Sequence, residues 1–294
     1  MSLTHLDADL LQKVADAGRH SAEQALIHIA GEIQGLVPEL MDTLTPEGPY
    51  AYTVIPEVRP DGSVKLPVLT TREEIHQVYE LITGMRELLS VSALTEVRGE
   101  WYTFQDSISR TRRKPTGELG SGHTIALFPS GKGTGITGEL VWLRKPREQL
   151  GTPGATGSGV TEEMLVREEV FQLHQQYMNA LRRGDVDGVL EVLNDGIASA
   201  IRDYVNETGT LMMLEGKAAH RDYYEAFFAK YEMISVEPFD RIAETWYVFA
   251  ELRFTARLRS TGEIRTFNTA EFHVPANDGR FIARVGHGTA PVAD

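Results

Sequence analysis

The chain has 294 residues, of which 41% are hydrophobic and 24% charged, and its formal net charge is −13 at pH 7. This length fits about two domains of ordinary size, and the composition is that of a globular protein. A strongly negative chain repels phosphate backbones, which argues against nucleic acid as a partner. No stretch approaches the roughly 18 consecutive apolar residues of a membrane span, and the first ten residues lack the features of a signal peptide. We therefore expect a cytoplasmic protein without a membrane partner.

Cysteine is absent, which excludes disulfides, thiol nucleophiles and thiolate metal sites. No two histidines have metal-ligand spacing on a predicted helix, so we predict no metal site. The glycine-rich stretch 128–138 superficially resembles a phosphate-binding loop. It lacks a lysine at a helix start and indicates a hairpin between strands instead.

An internal repeat organises the chain. An ungapped shift of 145 positions pairs residues 68–129 with 213–274 and makes 14 of the 62 pairs identical. The segment GEWYTF falls on ETWYVF, and PTGE falls on STGE. Self-similarity of this length predicts two copies of one domain. The glycine-rich segment 150–160 predicts a flexible linker between a first domain, 1–149, and a second, 161–294.

In the second copy the predicted elements follow one another as three helices and then an antiparallel meander. Apolar residues at helical spacing predict a first helix that ends at Gly184. A short helix over 186–193 and an extended segment over 197–204 come next, and a third helix begins after Gly216. Alternating apolar residues then predict a long strand over 246–258, a hairpin turn at Thr261 and Gly262, and two further strands over 264–274 and 280–288.

This order predicts the α+β class rather than a doubly wound sheet. Each copy would be a cone-shaped α+β barrel, in which three helices pack on a strongly curved, mostly antiparallel sheet. A sheet that curls around helices without closing leaves a cavity at its mouth, which is the natural place for a ligand.

Two runs of the second copy carry a family resemblance. The segments QQYMNALRRGDVDGVLEVLND, 175–195, and GKAAHRDYYEAFF, 216–228, resemble the cone-shaped nuclear-transport-factor-like superfamily, and within it the SnoaL-like polyketide cyclases and ketosteroid isomerases. The resemblance covers the second copy nearly end to end and reaches the first copy mostly through the repeat, helped by residues 70–82. It implies a fold strongly and an activity weakly, because the superfamily includes enzymes of several kinds and non-catalytic binding modules.

The resemblance implies catalysis by acid and base groups inside an apolar cone, without a cofactor. Tyr177 matches the oxyanion-binding tyrosine of the ketosteroid isomerases, although a core tyrosine with a bonded hydroxyl is the alternative. Glu271 matches the position of their second oxyanion-hole acid, but neither face of strand 264–274 is cleanly apolar, so it could equally point outward. His287 would act as a base near neutral pH, or be a structural histidine at the end of an apolar stripe.

The substrate-binding residues that we predict are mostly aromatic and belong to the second copy: Tyr224, Phe227, Trp246, Phe254 and His273. The general base of the ketosteroid isomerases has no counterpart, because its expected position falls on Ala200. Asp203 lies three residues further on, with the opposite strand parity. A true steroid isomerase is therefore not predicted.

The first copy departs further from the pattern. With the shift of 145 positions, Ala126 corresponds to Glu271 and Phe128 to His273. The counterpart of His287, the histidine of the last strand, falls at or beside Trp142. The Tyr177 position falls near Ile29. The polar candidates of the first copy itself are His28, Tyr52, Asp106 and His123. We therefore expect a degenerate pocket in the first copy and an active one in the second.

These observations favour a cofactor-independent enzyme of the cyclase, isomerase or dehydratase type that acts on a mostly apolar, oxygenated small molecule, such as a polyketide-like or steroid-like compound. The alternative is a non-catalytic small-molecule-binding or assembly module, in which the two copies pair as a pseudo-dimer within one chain. A homodimer is a further expectation. A dioxygenase small subunit shares the fold, but the tandem arrangement argues against it.

Overall fold

The computed structural model describes residues 8–131, 135–145, 150 and 163–293. The chain divides into two compact units, one formed by residues 1–54 and 69–144 and the other by 55–68 and 145–294. Apart from Leu150, the predicted linker 150–160 lies outside the described residues. Among the described residues, no helix is both long enough and apolar enough to cross a membrane.

The segment 55–68 belongs to the second unit, whereas the sequence analysis assigned all of residues 1–149 to the first domain. Its hairpin is held there by specific contacts. The Arg59 guanidinium donates to the Glu215 carboxylate at 2.9 Å. A side chain at Gly196 would clash with Ser63, since an added Cβ would lie 2.8 Å from the serine Cβ.

In the part of the first unit that the structure describes there are three helices and a four-stranded antiparallel sheet, in the order β5 (Arg86–Arg98), β6 (Tyr102–Arg113), β7 (Leu119–Pro129) and β8 (Leu140–Leu143). Its third helix starts at a capping box, in which Thr71 and Glu74 satisfy each other's backbone N–H groups. The elements from the start of the chain, including the short strands β2 and β3 of the segment 55–68, are α1 (Ala8–Gln34), α2 (Val37–Asp42), β1 (Tyr52–Thr53), β2 (Glu57–Val58), β3 (Val64–Lys65), β4 (Val68–Leu69), α3 (Arg72–Met85), β5 (Arg86–Arg98), β6 (Tyr102–Arg113), β7 (Leu119–Pro129) and β8 (Leu140–Leu143).

The described residues of the second unit form three helices and a larger sheet in the order β10 (Leu211–Glu215), β9 (Leu193–Arg202), β14 (Phe281–Gly288), β13 (Ile264–Pro275), β12 (Val248–Leu258) and β11 (Tyr231–Ala243), with β15 (Val292–Ala293) paired to β13. Its strand pairs are antiparallel except for β14 and β9, which run parallel. The elements are α4 (Glu163–Arg183), α5 (Val186–Glu191), β9 (Leu193–Arg202), β10 (Leu211–Glu215), α6 (Gly216–Lys230), β11 (Tyr231–Ala243), β12 (Val248–Leu258), β13 (Ile264–Pro275), β14 (Phe281–Gly288) and β15 (Val292–Ala293).

These elements confirm the predicted α+β class and the predicted order of helices and strands in the second copy. The predicted apolar face of β12 lies in the core, as Val248, Ala250, Leu252, Phe254, Ala256 and Leu258 all belong to the main buried cluster of the unit. Helices α4 and α6 supply aromatic side chains to the same cluster, including Tyr177, Tyr224 and Phe227. The interior of the unit therefore lies between these helices and the inner face of the sheet.

Strands that correspond by the shift of 145 positions also pair in the same register in the two units. Arg86 pairs with Arg113 between β5 and β6, and Tyr231 pairs with Leu258 between β11 and β12. The irregularities in these two ladders also correspond: they fall at Leu88/Ser90 and Ala93/Thr95 in β5, and at Met233/Ser235 and Pro238/Asp240 in β11. The repeated sequence thus gives the same pairing and the same bulges in each sheet.

The helices that precede the sheets follow a different shift. The first helix of each unit ends at a glycine with positive φ, Gly35 at 66° and Gly184 at 61°. The following short helices cover 37–42 and 186–191. Both landmarks are 149 positions apart, so His28, rather than its neighbour Ile29, is the counterpart of Tyr177.

Candidate functional site

A buried ion pair lies on the inner face of the second sheet. Arg284 of β14 donates to Glu271 of β13, with Nε and Nη2 at 3.0 and 2.7 Å from the same oxygen, Oε2. The two side chains share one face because Arg284 pairs with His273, and Glu271 pairs with Gly286. The exposed fractions are 6% for Arg284 and 1% for Glu271. Two opposite charges are therefore held together out of contact with water.

Two tyrosines continue from this ion pair. Arg284 Nη1 donates to the Tyr224 hydroxyl at 2.7 Å, and the hydroxyls of Tyr224 and Tyr177 are 3.1 Å apart. Burial raises the pKa of both phenols, so both stay protonated at neutral pH. Because Tyr224 accepts from Arg284, it can donate to Tyr177 and leave the Tyr177 proton for another acceptor. Such a chain polarises its last hydroxyl.

Two histidines complete the cluster. His273 Nε2 lies 3.7 Å from Glu271 Oε1, and the His273 ring lies 4.8 Å from the Tyr177 ring and 5.3 Å from the His174 ring. Burial lowers the pKa of His174 to about 3, helped by Arg241 and Arg284. Burial also holds the pKa of His273 well below its usual value, with smaller contributions from His174 and Arg284. Both imidazoles are therefore neutral at physiological pH.

Several atoms of this cluster lack hydrogen-bond partners within the described part of the chain: both ring nitrogens of His174, both of His273, and Glu271 Oε1. Each belongs to a side chain that is at most 1% exposed. Buried polar atoms are nearly always hydrogen-bonded. Three neighbouring residues of this cluster thus carry buried polar atoms without partners, and a bound ligand could supply the missing hydrogen bonds.

A serine and a histidine lie beside the ion pair. Ser199 of β9 pairs with Arg284 across the parallel ladder, and its hydroxyl is 2.6 Å from His220 Nε2. The other ring nitrogen, Nδ1, lies 2.8 Å from the Gly216 carbonyl oxygen and so carries the proton. Burial lowers the His220 pKa to about 4. The hydrogen bond between Ser199 and His220 joins β9 to α6 at the edge of the cluster.

The structure brings Tyr177 and Glu271 together but not His287. His287 pairs with Ala270, so its side chain lies on the opposite face of the sheet from Glu271. Burial lowers its pKa to about 3, with a smaller contribution from Arg202. The imidazole nearest to Glu271 is that of His273, which the sequence analysis assigned to substrate binding.

The orientation of β13, which the sequence left undecided, follows from its register with β12. Phe267, Glu271 and His273 pair with Phe254, Ala250 and Val248 on the apolar face of that strand. This face points into the unit, so Glu271 and His273 are interior residues.

The remaining predicted substrate residues occupy different places. Tyr224 belongs to the polar cluster. Phe254 stacks on Phe267 with ring centroids 4.9 Å apart, and Phe227 meets Phe267 edge-on at 6.5 Å. Trp246 precedes β12 and contacts Tyr247. Phe227 and Phe254 thus build the apolar wall of the interior, whereas Trp246 lies at the strand start.

The two positions considered for a general base do not supply one. Ala200 is fully buried in β9. The Asp203 carboxylate accepts hydrogen bonds from the backbone N–H groups of Val205 and Asn206 and from the Asn206 side chain. Asp203 therefore closes a turn.

Sequence reasoning missed Arg284, His174 and the Ser199–His220 pair. Arg284 carried a usable signal, because it is the one charge in the apolar run FIARVG of the last long strand. His174 and Tyr177 are three residues apart in α4 and therefore share a helix face. Ser199 gave no signal, since its partner lies on another element.

In the first unit the corresponding face is polar. Ala126, Phe128 and Trp142 occupy the register positions of Glu271, His273 and His287. Thr103, Gln105 and Ser107 are buried where β12 carries core residues. The register of these strands is the same in both units, so the polar face does not come from a shifted pairing. Two of its predicted polar residues, Asp106 and His123, contact each other across β6 and β7, with Oδ1 and Nε2 2.5 Å apart.

Residues 174–284 match the family model of the SnoaL-like domain. Among solved structures, the chain is similar to a Δ5-3-ketosteroid isomerase from Mycobacterium sp., with 17% identity, coverage of 43% of this chain and 98% of that one, and a TM-score of 0.37. The chain is also similar to a candidate polyketide cyclase of Xanthomonas campestris pv. campestris, with 20% identity, coverage of 42% of this chain and 91% of that one, and a TM-score of 0.34. An LEH-like epoxide hydrolase of Mycobacterium tuberculosis is 15% identical, with coverage of 42% of this chain and 84% of that one, and a TM-score of 0.35. None of the curated proteins matches the chain.

Proposed function

We propose, from the SnoaL-like domain matched at residues 174–284, that the second unit is a cofactor-independent acid–base enzyme of the isomerase, cyclase or dehydratase type. Its substrate would be a mostly apolar small molecule with a carbonyl group, such as a polyketide-like or steroid-like compound. The observation that carries the proposal is the group of unpartnered buried atoms at His174, His273 and Glu271 beside the Tyr177 hydroxyl. A ligand with oxygen atoms would satisfy them.

In this proposal Tyr177 donates to the carbonyl oxygen of the substrate. Arg284 and Tyr224 polarise the Tyr177 hydroxyl through the chain of hydrogen bonds at 2.7 and 3.1 Å. As a proton leaves the carbon next to the carbonyl, negative charge builds on the oxygen. Prepositioned donors stabilise that charge most effectively in a water-free interior.

Glu271 would be the proton acceptor. The resemblance implies a protonated acid that donates a second hydrogen bond to the oxyanion. An ion-paired carboxylate accepts hydrogen bonds instead, and Arg284 occupies only Oε2. Oε1 is left to take the proton from carbon and to return it at a second carbon, which completes an isomerisation. His273, 3.7 Å from Oε1, would orient the substrate as a neutral imidazole.

We also propose that the first unit is a second SnoaL-like domain that does not share this chemistry. The common register and bulges of β5 and β11 support the shared fold. The replacement of Glu271 and His273 by Ala126 and Phe128 removes the acceptor and the imidazole.

A non-catalytic binding module is the second candidate. It is favoured by the two positions considered for a general base, because Ala200 carries no acid group and the Asp203 carboxylate closes a turn. The same cluster would then hold an oxygenated ligand without moving a proton.

One experiment separates the two candidates. A panel of enolisable ketones, including a Δ5-3-ketosteroid, is incubated with the protein in D₂O, and exchange at the carbon next to the carbonyl is followed by NMR. Binding of phenols, which mimic the oxyanion, is measured in parallel by calorimetry. The enzyme proposal expects exchange that Glu271→Gln abolishes while phenol binding persists. Phenol binding without exchange of any panel member would favour the binding module, and the absence of both would refute each proposal.

A further inference from the structure

The first unit contains a second buried cluster of ionisable side chains. His28 and Glu32 are four residues apart on α1 and therefore lie on one helix face, and Glu139 precedes β8. One ligand atom from each of these three residues lies within 4.8 Å of the others. His28 is fully buried and Glu139 is 8% exposed, while Glu32 is partly buried.

The orientation of His28 is fixed by its other ring nitrogen. Nδ1 lies 2.5 Å from the Thr43 hydroxyl oxygen, and that hydroxyl donates its own proton to the Leu40 carbonyl at 2.6 Å. Thr43 must therefore accept from His28, so Nδ1 carries the proton and Nε2 has a lone pair. A metal-binding histidine is usually oriented in this way, by a hydrogen bond from its second nitrogen.

Nε2 faces the carboxylate of Glu139 at 3.9 Å and the hydroxyl of Tyr79 at 2.9 Å. The Tyr79 hydroxyl also bonds to Tyr52. Because Nδ1 carries the ring proton, Tyr79 donates to Nε2 in the structure, and a metal ion takes this lone pair only if Tyr79 turns its proton to Tyr52. The separation of 3.9 Å between Nε2 and the carboxylate oxygen suits two ligands of one metal ion, each at about 2.1 Å from it.

The charges of this cluster are not balanced by arginine or lysine in the described part of the chain. The ion pairs there join Glu139 only to His28, and none involves Glu32. Burying two carboxylates together is costly unless one of them takes up a proton or a cation lies between them. A cation is thus the ligand that the charges of this site favour.

Comparison of the units supports the same conclusion. By the shared register, Glu139 is the counterpart of Arg284, and Ala126 is the counterpart of Glu271. The second unit therefore supplies both members of its ion pair. The first unit supplies carboxylates at Glu139 and Glu32 without the matching cation.

We propose that the first unit binds a divalent transition-metal ion, such as Mn²⁺ or Zn²⁺, through His28 Nε2 and the carboxylates of Glu32 and Glu139. One imidazole and two carboxylates are a donor set suited to these ions. No metal site was predicted here from the sequence, because the spacing from His28 to Glu139 matches no local metal motif.

The test uses the full chain after treatment with a chelator. Mn²⁺ is titrated in and the loss of its free-ion EPR signal is measured, while thermal unfolding is followed with and without Mn²⁺ or Zn²⁺. We expect one ion bound per chain and a higher unfolding temperature with metal. Glu139→Gln and Glu32→Gln should each weaken binding about tenfold or more, and Thr43→Val should weaken it about tenfold by releasing His28.

Glu39→Gln is the matched control, because Glu39 is an exposed carboxylate of the same unit and its loss should leave metal binding unchanged. Unfolding of each variant without metal reports whether it is folded. The proposal is overturned if the wild type binds neither ion at millimolar concentration. It is also overturned if folded Glu139→Gln and Glu32→Gln bind Mn²⁺ as tightly as the wild type.

Discussion

Arg284 and Glu271 form an ion pair across β13 and β14, with Nη2 and Oε2 2.7 Å apart and both side chains almost completely buried. The pair is the centre of the cluster in the second unit, since Arg284 also orients Tyr224 and Glu271 faces His273. Its geometry determines the charges and the hydrogen-bond directions from which the proposed chemistry follows.

Breaking this pair from one side should destabilise the second unit strongly. Glu271→Ala leaves a buried guanidinium without its counter-ion, which costs about 3–5 kcal/mol. Arg284→Met together with Glu271→Leu should restore most of the loss, because no buried charge remains. Urea unfolding measures both. The exposed pair Arg112–Glu87 is the control, and Glu87→Ala should change stability by about 1 kcal/mol or less; equal costs at both pairs would contradict the prediction.

Tyr177→Phe should slow hydrogen–deuterium exchange at the carbon next to the ketone carbonyl by about 10²–10³-fold, as expected when one oxyanion donor is removed. Stability should fall by about 1–3 kcal/mol, because the buried Tyr224 hydroxyl loses its acceptor. Tyr231→Phe is the control. It removes a hydroxyl that donates to Glu207 at 2.6 Å and takes no part in the hydrogen-bond chain from Arg284 to Tyr177, so it should leave the exchange rate unchanged. A similar loss in both variants would show that the effect is not specific to the Tyr177 hydroxyl.

Stability should fall with acid partly because of His174. Its pKa is about 3 in the folded protein against 6.5 as an unperturbed side chain. Between these values the unfolded chain binds a proton that the folded chain does not, so stability is complete above pH 6.5 and decreases below it. His174→Phe should reduce the slope of the unfolding free energy between pH 4 and 6 by about 1.4 kcal/mol per pH unit. An unaltered slope for His174→Phe would refute the prediction.

Gly286→Ala should disturb the site without removing any of its functional groups. An added Cβ would lie 2.5 Å from the Glu271 Cβ and 2.8 Å from the Ala270 carbonyl oxygen. Such overpacking typically costs about 1–3 kcal/mol and would displace Glu271, so ketone exchange should fall as well. Gly84→Ala is the control, because an added Cβ there meets nothing within 4 Å. It should stabilise α3 by up to about 1 kcal/mol. Unchanged exchange in Gly286→Ala would mean that the position of Glu271 is unimportant.

Local patterns predicted much of the second unit. The helical spacing after Gly216 became α6, and the two predicted strands after the hairpin turn became β13 and β14. These signals are reliable because helix and strand periodicities depend on neighbours in the chain. Tyr177 and Glu271 were selected through the family resemblance, and they lie in one cluster.

His287 shows the limit of local patterns. Its position at the end of an apolar stripe favoured an interior base, yet the pairing with Ala270 turns it to the other face from Glu271. A strand has two faces, and β14 is buried along most of its length on both. Alternation alone therefore could not decide which face carries the site.

The sequence by itself determined the self-similarity of residues 68–129 and 213–274, the α+β class and the order of elements in the second unit, because these depend on periodicity and on similarity along the chain. Only the tertiary structure decided which charges meet. The register of β13 and β14 joined Arg284 to Glu271, and folding of the first unit brought Glu139 to His28 and Glu32. Electrostatic and hydrogen-bond contacts act over a few ångströms in space, and nothing in the linear order of residues encodes those distances directly.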